Sequence, residues 1–260
     1  MLYSFKFLTA SGGEMNETSL LAGRRKGRVY QFCQRYPIFA KMGKNILLVA
    51  ATAKEIAPFI DFIRKDEKQF RQKNIDILIS GIGLTATAYH LTKQIQLKKY
   101  QLAIQAGVAG SFEKGIQPGS VVAVKQDTIA DQSVVELKKL KTVFHLNLVP
   151  ADQFPFQNGW LKNSDPALLK STGLKLVRGI SVNQISTDTK MINFFREKFT
   201  PVTESMEGAA FHYVCLAEKI PFIQLRSISN FIGERNKKNW DMMASIQNLN
   251  KTVIGLIKNY

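Results

Sequence analysis

Apolar positions along the chain fall into two registers that alternate. Residues 45–51 are continuously apolar after Asn45, the pattern of a strand covered on both faces of a parallel sheet. Thr52 then predicts the N-cap of a helix from Ala53 to about Lys65, with Glu55 in its first turn at the carboxyl end of the strand, where open α/β sheets place ligands. Residues 76–83 repeat the theme with a strand running into Gly81-Ile82-Gly83 and a helix over 86–96. A third strand over 102–110 ends in Gly107-Val108-Ala109-Gly110, and Pro118-Gly119 turns the chain into a fourth. Periodicity weakens over 131–173, where Phe154, Pro155, Phe156 and Trp160 occupy a loop-like stretch that packs on the core or forms a lid. A strand over 174–182, a helix from near Thr189, a strand ending at Asn230, a basic loop over 231–241 and an amphipathic helix to Tyr260 complete the series. Strand, small-residue turn and helix in repetition predict an α/β sandwich, and the uninterrupted rhythm predicts one domain over 45–260.

Two segments carry more than packing. In Thr203-Glu204-Ser205-Met206-Glu207-Gly208-Ala209-Ala210, Ser205 can cap a helix beginning at Met206 and place Glu207 in the first turn, where the dipole stabilises its charge. The small residues that follow let a backbone or a flat ligand come close. The strand Gln224-Leu225-Arg226-Ser227-Ile228-Ser229-Asn230 then ends on a lone amide. Neither glycine turn completes a dinucleotide fingerprint, so both read as tight turns whose amides can meet a small anion or water.

Composition changes this picture little. The net charge is +16, with eight Lys or Arg residues against Glu14 and Glu17 in residues 1–44. Those residues read as a basic leader ahead of a natural start at Met42, and elsewhere the charge is spread without the aromatic interleaving of nucleic-acid motifs, so no nucleic-acid partner is expected. Cys33 and Cys215 form no disulfide framework, and His90, His145 and His212 show no metal-ligand spacing, as suits a cytoplasmic protein without a bound metal. No apolar run reaches the length of a membrane span.

The order of these motifs resembles the purine nucleoside phosphorylase and nucleosidase superfamily, and within it the futalosine hydrolases, with the 5′-methylthioadenosine/S-adenosylhomocysteine nucleosidases next. The resemblance implies a nucleoside phosphorylase-like three-layer sandwich with a central mixed, mostly parallel twisted sheet. It implies that Glu55 activates the attacking water, that Met206 packs on the sugar and Glu207 accepts from the ribose hydroxyls, and that Asn230 reads the purine. Gly81, Val108, Ala109 and Gly110 would line the substrate. Ile185 stands near the place of a base-stacking phenylalanine, which leaves stacking to Phe154 or Phe156, and Arg235 would meet a substrate carboxylate. Asparagine both donates and accepts, which suits a 6-oxopurine such as hypoxanthine better than adenine. The implied reaction is hydrolysis of futalosine in menaquinone biosynthesis, with no cofactor, a small-molecule nucleoside as substrate, and a homodimer or higher homo-oligomer as the assembly. A carboxylate at Glu55 would repel phosphate, which disfavours phosphorolysis. Adenine-releasing nucleosidase action, phosphorolysis and a non-catalytic nucleoside-binding role are the alternatives.

Overall fold

The computed structural model describes residues 33–35, 44–65 and 73–260. Its elements run β1 (Cys33–Arg35), β2 (Asn45–Ala50), α1 (Ala53–Lys65), β3 (Asn74–Ile79), α2 (Leu84–Leu97), β4 (Leu102–Ser111), β5 (Val121–Asp127), β6 (Ser133–Glu136), β7 (Lys139–Thr142), β8 (Leu161–Lys162), α3 (Pro166–Ser171), β9 (Leu176–Ser181), α4 (Thr189–Phe199), β10 (Thr203–Ser205), α5 (Gly208–Ala217), β11 (Phe222–Phe231) and α6 (Met242–Asn259). No helix among the described residues is long and apolar enough to cross a membrane.

The apolar run of β2 is divided between two helical layers. Ile46, Leu48 and Ala50 face a cluster with Ile56 and Phe59 of α1 and Leu249 and Val253 of α6. Leu47 and Val49 face the opposite cluster, with Leu91 of α2 and Phe211, Val214 and Cys215 of α5. This is why the strand had to be apolar at every position rather than at alternate ones. α5 is buried on nearly every face, as a helix of this composition must be.

The sheet order is β1-β3-β2-β4-β10-β9-β5-β11, with β8 on β5 and an additional pairing of β4 with β11. That last pairing closes β4, β10, β9, β5 and β11 into a ring, so the expected open sheet curls into a barrel at one end. Strand directions are mixed: β2 runs parallel to β3 and β4, β9 to β10 and β5, and β11 to β4. The pairs β1–β3, β10–β4, β11–β5 and β5–β8 are antiparallel. The sheet is mixed as expected, but the expectation that it is mostly parallel is met only narrowly by strand pairs, five parallel against four antiparallel, with antiparallel neighbours at β10–β4 and β11–β5 inside the ring.

Three further differences have local causes. β1 pairs with the edge of β3, so part of the segment set aside as a leader joins the sheet; the remaining expectations for residues 1–43, Met42 included, lie outside the described residues. The region over 131–173 holds the β6–β7 hairpin, β8 and α3, short elements whose periodicity is too brief to register in sequence. Trp160 there packs edge-on against Phe199 at 5.9 Å and Phe156 against Phe144 at 5.1 Å, so these two rings pack onto the body of the protein while Phe154 stays exposed.

Candidate active site

Four strand ends bring the chemistry together. After β2, Thr52 precedes α1, and Glu55 turns back on it: Oε2 accepts from the Thr52 amide at 2.9 Å and from its hydroxyl at 3.0 Å. The expected cap is thus reversed: the Thr52 hydroxyl donates to the acid of the first turn instead of accepting from a helix amide, and the Glu55 amide donates to the Thr52 carbonyl at 3.3 Å. Its other oxygen, Oε1, accepts from Val108 N at 3.2 Å; the stretch 107–110, expected as a tight turn lining the substrate, is instead the end of strand β4.

Glu207 reaches the same place from α5. Gly83 N donates to its Oε1 at 3.2 Å and Arg226 Nη1 to its Oε2 at 3.4 Å. Arg226 also donates from Nη2 to Gln105 Oε1 at 3.0 Å and from Nη1 to Val108 O at 3.4 Å. The side chain is 1% exposed. Gly107 makes room for this meeting: a Cβ there would stand 2.5 Å from Arg226 Nη1 and 3.2 Å from Glu55 Oε1. Two buried carboxylates therefore share one buried guanidinium. Burial lifts the Glu55 carboxyl above its ordinary value, the charge of Glu207 adds to the rise, and Arg226 opposes it. A carboxylate made more basic by its surroundings is suited to accepting a proton.

The helix carrying Glu207 starts later than the sequence implied. Ser205 still belongs to β10, paired with Ser181, and α5 opens at Gly208 with Glu207 in the N-cap position. Ser205 Oγ accepts from Gly208 N at 3.3 Å, which keeps the expected capping contact but leaves Met206 and Glu207 in the bend between strand and helix. That bend, rather than a first helical turn, aims the carboxylate at Gly83.

The other expected residues divide. Asn230 sits beside Gly110 on β11, with its Oδ1 accepting from Ser229 Oγ at 2.8 Å and its Nδ2 donating to Phe231 O at 2.9 Å. Ala109 O accepts from Ser229 Oγ at 3.3 Å, and Gly81 opens the turn that ends in Gly83. These positions share the strand-end rim with Glu55 and Glu207. Ile185 is exposed in the loop after β9, next to Ser186, whose amide and hydroxyl both donate to the buried Glu204.

Phe154 is elsewhere. It lines a cavity of about 670 Å³ with Asp165, Leu216, Lys219 and Phe222, at the C-terminal end of α5 and the beginning of β11, the far end of that strand from Asn230. Its aromatic neighbour Phe156 lines the same cavity and stacks edge-on with Tyr213. Within this chain neither ring stands over the strand-end rim, because the loop is held by core contacts of Phe156 and Trp160. Arg235 is exposed, its guanidinium 5.7 Å from the centre of the Trp240 ring.

Sequence reasoning assigned no role to Arg226, Asp127 or Glu204. The signal for Arg226 was present: a cation in the middle of an apolar strand must find a partner. Among the described residues no three His, Cys, Asp or Glu side chains are grouped to hold a metal ion.

Comparison with known proteins identifies the family. The model of the family described as the phosphorylase superfamily matches residues 45–260. The 5′-methylthioadenosine/S-adenosylhomocysteine nucleosidase of Haemophilus ducreyi is 24% identical over 192 residues, 72% of this chain and 81% of that protein. The futalosine hydrolase of Thermus thermophilus is 27% identical over 183 residues, 69% of this chain and 80% of that protein. Among solved structures, the native futalosine hydrolase of Helicobacter pylori superposes with a TM-score of 0.68 at 22% identity, covering 84% of this chain and 98% of that one. The 5′-methylthioadenosine/S-adenosylhomocysteine nucleosidase of the same organism gives 0.69 at 20% identity, covering 85% and 100%. With strand-end carboxylates, a barrel-closed mixed sheet and a family match over 45–260, the chain belongs to the phosphorylase superfamily.

Proposed function

We propose that this protein is a nucleosidase that hydrolyses the N-glycosidic bond of futalosine, releasing hypoxanthine in menaquinone biosynthesis. The observation that carries the reading is the pair of buried carboxylates, Glu55 and Glu207, meeting Arg226 at the carboxyl ends of β2 and β4. Cleavage of such a bond passes through an oxocarbenium-like sugar. Glu55, its basicity raised by burial, takes the proton of a water attacking C1′. Glu207, fixed by Gly83 N and Arg226, accepts from the ribose hydroxyls and stabilises positive charge as it grows on the ring. Met206, in the bend before α5, packs on the sugar.

Water rather than phosphate is favoured by charge. The cation paired with Glu207, Arg226, is already engaged by that carboxylate and Gln105, and an incoming phosphate would face Glu55 at close range. The oxopurine preference rests on Asn230, whose amide must exchange Phe231 O and Ser229 Oγ for the base. A second copy of the chain is also proposed, supported by the exposed Ile82 and Tyr89 on and before α2 and Tyr213 on α5; light scattering of the purified protein tests it.

Adenine-releasing action on methylthioadenosine is the second reading, favoured by relatives that carry that name. Chromatography of bases released without added phosphate from futalosine, aminodeoxyfutalosine, inosine, methylthioadenosine and S-adenosylhomocysteine separates the two. Hypoxanthine from futalosine, lost in Glu55→Gln, is the expected result. Adenine release overturns the oxopurine assignment, and dependence on phosphate overturns hydrolysis.

A further inference from the structure

Behind Glu207 lies a third buried carboxylate that the hydrolytic roles leave unused. Asp127, at the end of β5, is fully buried. Its Oδ1 accepts from Thr128 N at 2.8 Å and from Ser181 Oγ at 3.0 Å, and its Oδ2 from Gln224 Nε2 at 3.2 Å. Ser181 Oγ in turn accepts from Ala209 N at 2.8 Å, in the first turn of α5. The carboxylate is thereby linked through one hydroxyl to the positive end of a ten-residue helix. Packing makes the same connection independently. A Cβ on Gly208 would overlap Asp127 Oδ2 and Gln224 Nε2, and one on Gly179 would stand 3.0 Å from Asp127 Oδ2. Two glycines are required for the helix start to rest on this carboxylate, and Glu207 is the residue that immediately precedes one of them.

We propose that Asp127, acting through Ser181 and the start of α5, is a positioning residue that seats Glu207 for its contact with the sugar hydroxyls. The proposal rests on the nucleosidase reading for its activity test, while its geometric content is separate. Asp127 touches neither Glu207 nor the strand-end rim; it fixes the backbone from which Glu207 extends. Arg226 on β11 is the charged group that acts on it. Burial raises the Asp127 carboxyl to about 6, against the pull of Arg226, so the proton it carries in mild acid would loosen the helix start and Glu207 with it.

The test compares Asp127→Asn and Ser181→Ala with wild type on a ribonucleoside substrate and its 2′-deoxy counterpart. Glu207 distinguishes the two by the hydroxyl it accepts from, so wild type is expected to prefer the ribonucleoside in kcat/KM, and both variants are expected to lose about tenfold or more of that preference. The acid limb of the Asp127→Asn profile is expected to be shallower by one proton. A loss of thermal stability with the ribose preference and acid limb unchanged overturns the proposal, since that is what a purely structural residue gives. Ser181→Ala keeps the test open if Asp127→Asn does not fold. If wild type cleaves neither substrate, the nucleosidase reading fails by itself, and crystal structures decide the positioning claim. Loss of the Gly83 N contact to Glu207 in Ser181→Ala supports it, and retention near 3.2 Å overturns it.

Discussion

Replacing Arg226 by Met should produce a stability loss whose size depends on pH, and the structure sets its scale. The guanidinium is 1% exposed and lies 3.4 Å from Glu207 Oε2. At an effective dielectric constant near 20, charges at that separation attract by roughly 5 kcal/mol. Breaking a buried pair from one side typically costs about 3–5 kcal/mol, because the remaining charge is stranded. Glu55, whose carboxyl burial already lifts above its ordinary value, loses the opposing pull of Arg226 and can escape by binding a proton. For a glutamate of ordinary value 4.5, holding a proton at pH 7 costs roughly 3 kcal/mol, at about 1.4 kcal/mol per pH unit. The loss in Arg226→Met is therefore expected to be near 3 kcal/mol at pH 7 and to shrink by about 1.4 kcal/mol for each unit of acidification toward pH 5. Urea unfolding of both proteins at pH 5, 6, 7 and 8 measures it. A difference below about 1 kcal/mol that does not change with pH would show that the three groups do not share a dry site, and the argument from buried electrostatics would fail.

Other perturbations probe separate parts of the same reasoning. Asp127 has a folded value near 6 against an ordinary 3.8, so it favours the folded state below about pH 4 and that contribution, roughly 3 kcal/mol, is lost as pH rises through 6. His212 has the opposite sign: burial lowers it from 6.5 to about 4, so its contribution is present above 6.5 and lost on acidification. Wild-type unfolding should therefore vary little from these two between pH 4 and 6, whereas Asp127→Asn should lose stability on acidification through that range. Gly208→Ala would drive a methyl group into Asp127 and Gln224 and should cost about 1–3 kcal/mol in urea unfolding; a neutral result would mean that α5 does not rest on Asp127. Asn230→Asp should shift base preference from hypoxanthine toward adenine by about 5- to 150-fold, the worth of one mispaired hydrogen bond, and an unchanged ratio in the release assay would remove Asn230 from base recognition.

Much of this molecule is written in local pattern. The run from Ile46 to Ala50 could only be a strand with both faces covered, and Thr52 with Glu55 marked both the start of α1 and a carboxylate at a strand end; the helix observed over Ala53–Lys65 follows from those residues alone. Glu207 and Asn230 were legible because polar groups at the end of apolar segments have few structural reasons to be there. What sequence could not supply were relations between distant residues. The pairing of β4 with β11 that closes the barrel depends on how far the sheet coils, which no window of residues records. The Arg226 cation was visible, but its partners Gln105, Val108 and Glu207 lie on other elements, and only packing assigns them. Phe154 read as a ring available to a base, yet its loop is tied down by Phe156 and Trp160 at the opposite end of β11. Asp127 shows the same limit most clearly. An aspartate at the end of a strand is ordinary in sequence, and it becomes a buried charge beneath a helix start only when β5, β9, α5 and β11 converge, since burial and electrostatic coupling belong to the assembled interior and not to the residue.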